Sequence, residues 1–180
     1  MAKWYEKLVA FILSLVAPKL PPEKPKTEYP VTAGKHEERT LTVPCSVSFR
    51  IRGKATGDPQ QEQVVAWAVE AGKDWMGGNP VPRCFSVRVN DYDARSVKVK
   101  CYGADGVARE PRINVAWPSA PSHLVTLAIR PGVVQFSVDG ATAVIQMPTP
   151  PMVTIFYGDP VSRRMAAGAV LTEITWEGKP

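Results

Sequence analysis

Carboxylates come first in a search for chemistry, because two of them flanking one glycosidic bond, about 5 to 5.5 Å apart in retaining enzymes, suffice for hydrolysis. Glu37 and Glu38 fall in a Pro-rich stretch, Asp91 and Asp93 in a turn, and Glu173 stands alone on a strand as an outward polar residue. No catalytic residue is assigned from them. His36, in KHEER, begins like a zinc-protease motif but lacks a second His at i+4 and sits outside any helix. His123 opens an apolar strand, with no Ser or Cys beside it to activate, and reads as structural.

The loop Asn90 to Arg95, NDYDAR, makes Asp91 and Asp93 weak candidate Ca²⁺ ligands. Calcium takes six to eight oxygens, and two Asp in a turn serve first to bond nearby backbone, so no metal or other cofactor is assigned. Aromatic residues carry the remaining chemistry. Trp75, in the Gly- and Pro-rich KDWMGGNPVPR, has no obvious core to enter and is the leading candidate for stacking on a sugar; Trp117, before Pro118, is the second. Trp67 and Trp176 lie within apolar strands and are expected in the core. Phosphate-binding Gly loops, paired Cys/His ligands and an RNA-binding aromatic signature are absent from the sequence.

The chain has 180 residues, 44% hydrophobic and 22% charged, with a formal net charge of +5. The length suits one globular domain with an appendage. Basic residues such as Arg50, Arg52, Arg88, Lys98 and Lys100 are spread between apolar neighbours rather than massed, as on a solvated sheet face, so no specific nucleic-acid partner is expected. The three cysteines, Cys45, Cys84 and Cys101, lack CxxC spacing. If 84–90 and 96–102 form a hairpin pairing odd-numbered residues with odd-numbered ones, Cys84 and Cys101 point to opposite faces, and the expectation is three buried, reduced thiols.

Positioning elements follow from periodicity. Residues 1–17, MAKWYEKLVAFILSLVA, form an amphipathic helix with Trp4, Leu8, Phe11, Ile12 and Leu15 on one face. It is too short to span a bilayer, which takes about 20 apolar residues. Docking on a partner protein or its own oligomer, a signal peptide, and lying on a membrane surface all remain open for it. Residues 18–38 read as an extended Pro-rich linker, and the domain is expected over 39–180. Leu41, Val43, Cys45, Val47, Phe49 and Ile51 alternate without a break, predicting one strand with Pro44 at an edge or a bulge. Further strands are predicted at 64–69, 84–90, 97–102, 113–117, 124–130, 133–138, 141–146, 153–157 and 170–176. Asp139-Gly140 supplies the positive φ angles of a two-residue type I′ turn.

The segment Ser122 to Gly140, SHLVTLAIRPGVVQFSVDG, with Val153 to Gly178, VTIFYGDPVSRRMAAGAVLTEITWEG, resembles the late strands of concanavalin-A-like, laminin-G-like jelly rolls. The likeness covers about residues 122–178 and implies an all-β, antiparallel two-sheet sandwich. Glycosidases of that fold carry carboxylates in patterns like Glu-x-Asp-x-x-Glu, and none occurs here. The reading is therefore of a non-enzymatic protein. Its N-terminal arm docks into a larger assembly of protein subunits or a homo-oligomer, and the sandwich is displayed as a virion decoration, cement or tail component. The alternative is an exported lectin-like module binding glycan, with 1–17 as signal or membrane anchor. The sequence leaves the location unknown, with a virion-associated or an extracellular, cell-surface one favoured.

Overall fold

The computed structural model describes residues 28–32, 35–52, 63–73, 85–93, 96–103, 105–115, 122–158 and 169–180, with the side chains of 63–65 and 88–93 left out of the description. The expected helix over 1–17 and its face of Trp4, Leu8, Phe11, Ile12 and Leu15 lie outside these residues. The strands are β1 (Glu28–Pro30), β2 (His36–Thr42), β3 (Cys45–Arg52), β4 (Gln63–Glu70), β5 (Ser86–Asp93), β6 (Ser96–Tyr102) and β7 (Ala108–Arg109). They continue with β8 (Arg112–Asn114), β9 (His123–Arg130), β10 (Val133–Val138), β11 (Ala141–Gln146), β12 (Met152–Gly158) and β13 (Val170–Glu177).

They form two antiparallel sheets. One has the order β1-β13-β3-β9-β10-β11; the other runs β2-β12-β4-β5-β6-β7, with β8 also pairing β6. Period-2 alternation drives this arrangement, since each strand sends every second side chain into the seam between the sheets. Phe49, Leu127, Ile129, Phe136, Ile155 and Leu171 are fully buried there. Val87 faces Cys101 and Val89 faces Val99 across β5 and β6, the expected odd-to-odd register. Cys45 and Cys101 are free and buried, and burial pushes their thiols up to about 11 and about 12. Cys84 lies outside the described residues.

Three features depart from simple alternation. The run expected as one strand through Pro44 is two, β2 and β3, in different sheets. Pro44 follows a cis peptide bond, and having no N–H it cannot carry a ladder onward. Leu41 and Cys45 still both point into the seam, because the chain crosses from one sheet to the other between them. Sheet pairing begins at Glu28, inside the stretch expected as linker, with Tyr29 opposite Leu171. His36 to Glu38, polar though they are, pair along β12 as an edge strand of the other sheet. On β13 a bulge between Thr172 and Thr175 contains Glu173, at φ 53°. Leu171 and Trp176, an odd number of positions apart, thereby both pack on the core side, while Glu173 stays exposed and accepts from Arg50 Nε at 2.9 Å.

The Asp139-Gly140 turn has the expected positive φ at both residues, 49° and 86°. Asp139 also ties this hairpin to the start of β9. Its carboxylate accepts from Nδ1 of the buried His123 and from the Leu124 N–H at 2.8 Å, while its own N–H donates to the Leu124 carbonyl. Burial opposes the charged form of Asp139, but the His123 and Leu124 bonds, with the charges of His123 and Arg50, outweigh it and hold the carboxyl below its ordinary range. A depressed carboxyl stabilises the fold above its unfolded pKa, near 3.9, and that contribution fades as pH falls through the lower folded value. Asp139→Asn keeps a residue that tolerates positive φ. Because the carboxylate is 42% exposed, the variant is expected to lose only about 1 kcal/mol at pH 7. In urea titrations the difference from wild type should shrink between pH 5 and 3; a pH-independent difference would show that the charge is not what matters.

Candidate functional site

Because the inward positions are filled, recognition falls to the outward ones, and the seven-stranded sheet has the richer outer face. Cross-strand pairing lays two adjacent rows on it. The first runs Thr40, Thr154, Val69, Ser86, Tyr102, from β2 through β12, β4 and β5 to β6. The second runs Glu38, Phe156 and Trp67, then through position 88 of β5 to Lys100. At about 4.8 Å between strands, each row is on the order of 20 Å long.

Trp67 is buried, as expected from the sequence, but on the outer side of the sheet. It is 3% exposed, yet its neighbours Ala66 and Ala68 belong to the seam between the sheets, so the indole lies on the opposite face. There it stacks on Phe156, centroids 5.3 Å apart and planes within 10°. His36 closes the other side of Phe156 at 5.6 Å, and its Nε2 lies 3.2 Å from Glu38 Oε2. Phe156 itself is half-buried. Trp176, expected in the core, is partly buried and packs against it from the seam, 5.6 Å from the Tyr157 ring.

Polar groups surround this aromatic pair. Thr40 and Thr154 share a hydroxyl hydrogen bond of 2.9 Å. At the far side Glu110 accepts from Lys98 Nζ at 2.6 Å and Lys100 Nζ at 3.2 Å. The Lys98 bond, with help from Lys100, holds the Glu110 carboxyl below its usual range despite some desolvation. Lys100 is held protonated by its hydrogen bond to the Tyr102 hydroxyl and by Glu110, against the pull of burial. Between the aromatic and the charged ends lies Ser86, 3% exposed, whose Oγ has no hydrogen-bond partner. A buried hydroxyl without a partner is costly by about 1–3 kcal/mol, and native structures seldom carry one without a role.

The residues expected to act are not brought together here. Trp75 and Trp117 lie outside the described residues, as does the docking helix. Asp91 and Asp93 sit on the end of β5 rather than in the turn, at a bulge opposite Val97 and Ser96, with their side chains outside the description. Among the described residues no group of three or more His, Cys, Asp or Glu side chains is placed to hold a metal. Glu38, on β2, and Glu110, in the connection between β7 and β8, are the described carboxylates attached to these rows, and they lie at opposite sides of the sheet, on the order of 20 Å apart. That exceeds the roughly 5 to 9.5 Å between glycosidase carboxylates. Trp67 and Phe156 were missed because VVAWAV and VTIFY are apolar on both faces, so hydrophobicity alone does not reveal which side a ring takes.

No protein-family model and no curated protein matches this sequence. Among solved structures the chain is similar to alginate lyase A1-II′, a member of polysaccharide lyase family 7. The TM-score is 0.54 at 10% identity, over 77% of this chain and 63% of the lyase. A functionally unknown protein from Saccharomyces cerevisiae matches with TM-score 0.51 at 10% identity, over 79% of this chain and 74% of that one. The carbohydrate-binding module CBM66 from Bacillus subtilis gives 0.46 at 12% identity, over 82% and 84%. The fold is the concanavalin-A-like jelly roll that residues 122–178 resemble.

The Ser86 hydroxyl is expected to contribute nothing to folding. Ser86→Ala should leave the thermal midpoint unchanged or raise it, by the equivalent of up to about 1 kcal/mol. A loss of more than about 1 kcal/mol would mean that the hydroxyl is satisfied in the folded protein.

Proposed function

We propose that this protein is a non-catalytic carbohydrate-binding module that holds a polysaccharide across the outer face of its seven-stranded sheet. The observation that carries the reading is the stacked Trp67–Phe156 pair, set on the same outer face as a Lys98–Glu110–Lys100 cluster. A sugar ring presents apolar C–H faces and a periphery of hydroxyls. Phe156 offers the apolar contact, the exposed Thr40 exchanges hydrogen bonds, and Lys100 and Glu110 supply the charge-assisted ones.

The lyase of similar fold acts on alginate, which supports a polysaccharide ligand by fold-level analogy. The docking role expected for residues 1–17 gains no support from the sandwich. The lectin-like alternative therefore becomes the principal reading, with its aromatic contact moved from Trp75 to Phe156.

Affinity electrophoresis and calorimetry against a panel of neutral and acidic polysaccharides test this. Wild type should bind at least one of them without shortening it, and Phe156→Ala and Lys100→Ala should each weaken binding about tenfold or more, which is about 1.4 kcal/mol. Silence across the panel, or binding unchanged in both variants, would remove the assignment.

A further inference from the structure

Sheet edges expose unpaired backbone groups, and proteins blunt them with charge, proline or shortness. Of the four edges formed by the described strands, three are blunted. β1 has three residues, ends in Pro30, and carries Glu28 paired to Arg52. β2 begins His36-Glu37-Glu38-Arg39. The β7 and β8 edge is made of two- and three-residue pieces holding Arg109 and Arg112, with Pro111 between them. β11, ATAVIQ, is different: six residues with no charge and no proline, bounding the first sheet, hydrogen-bonded among the described strands to β10 alone, with β8 packed nearby from the other sheet.

We infer that β11 is a self-association edge, at which a second copy of this chain pairs antiparallel about a twofold axis and continues the six-stranded sheet. The register follows from the hairpin. Val138 and Ala141 flank the two-residue turn and form a hydrogen-bonded pair. Bonding toward β10 therefore uses Ala141, Ala143 and Ile145, and continues in the Met147 N–H to Gly132 carbonyl bond at 3.0 Å. Thr142, Val144 and Gln146 direct their N–H and C=O groups away from β10. A twofold axis at Val144 sets Val144 against Val144 of the other copy, and Thr142 against Gln146 twice, forming about six backbone hydrogen bonds.

The side chains suit this register. Val144 is 58% exposed, among the most exposed large apolar residues described, and the axis covers it with its own counterpart. Thr142 and Gln146, both exposed, meet as hydrogen-bonding partners. No like charges meet on β11, whereas the same operation on β2 with its axis at Glu38 sets one Glu38 against the other. One edge strand buries less than the roughly 1,200 Å² of a standard stable interface. The dimer is therefore weak, with dissociation expected at about 10–100 µM.

Sedimentation of the full chain across a dilution series tests the inference. Wild type should shift from dimer to monomer over that range. Val144→Pro removes only an outward N–H, so it should stay monomeric throughout while keeping its circular dichroism and thermal midpoint. Under mild oxidation Val144→Cys should form a covalent dimer, since facing Cα atoms lie about 5.5 Å apart. Thr142→Cys, with its counterpart about 13 Å away in this register, should not. A wild type that is monomeric at several hundred micromolar overturns the inference. So does a dimer that survives Val144→Pro, or cross-linking at 142 in place of 144.

Discussion

The constraint on which the whole molecule depends is the filling of the seam between two twisted sheets. Each strand contributes alternate side chains to it, and Phe49, Leu127, Phe136 and Ile155 leave no room for functional groups inside. Among the described strands, the side chains free to meet a ligand project from the opposite faces. The packed interior fixes those outward positions in rows, because a slip of one residue would exchange every inward side chain for an outward one. Specificity at the surface is thus inherited from packing beneath it.

The two outer faces differ in what they offer. On the six-stranded sheet, Ser48 and Thr126 bond to each other at 2.8 Å and Ser46 to Glu177 at 3.1 Å, so these polar groups satisfy one another. On the seven-stranded sheet the stacked rings, the lysines gathered on Glu110 and the Ser86 hydroxyl are concentrated in two adjoining rows. A core of apolar surface with a small number of placed polar groups is what small-molecule and saccharide sites share.

Much of this was legible in the sequence where one face of a strand is wet. β9, β10 and β11 alternate cleanly, and Asp139-Gly140 marks the turn between the last two, so their bounds match to within one residue. Legibility fails where alternation is blind to the event. The crossing at Pro44 preserves inward and outward parity, so one strand and two strands in different sheets share one pattern. The bulge at Glu173 changes parity without changing composition. Trp67, on a central strand apolar on both faces, gives no sign of its direction. The site was hidden for the same reason: its members come from β2, β4, β5, β6 and β12, and only pairing across strands makes them neighbours.

Backbone amide shifts recorded during titration with a polysaccharide that the protein binds test the central claim most directly. The account predicts perturbations concentrated at Thr154, Phe156, Trp67, Ser86, Lys100 and Tyr102, with Thr126, Ser137 and Thr142 on the other sheet unmoved. Perturbations confined to the six-stranded sheet or to the loops, with Phe156 and Ser86 silent, would contradict it.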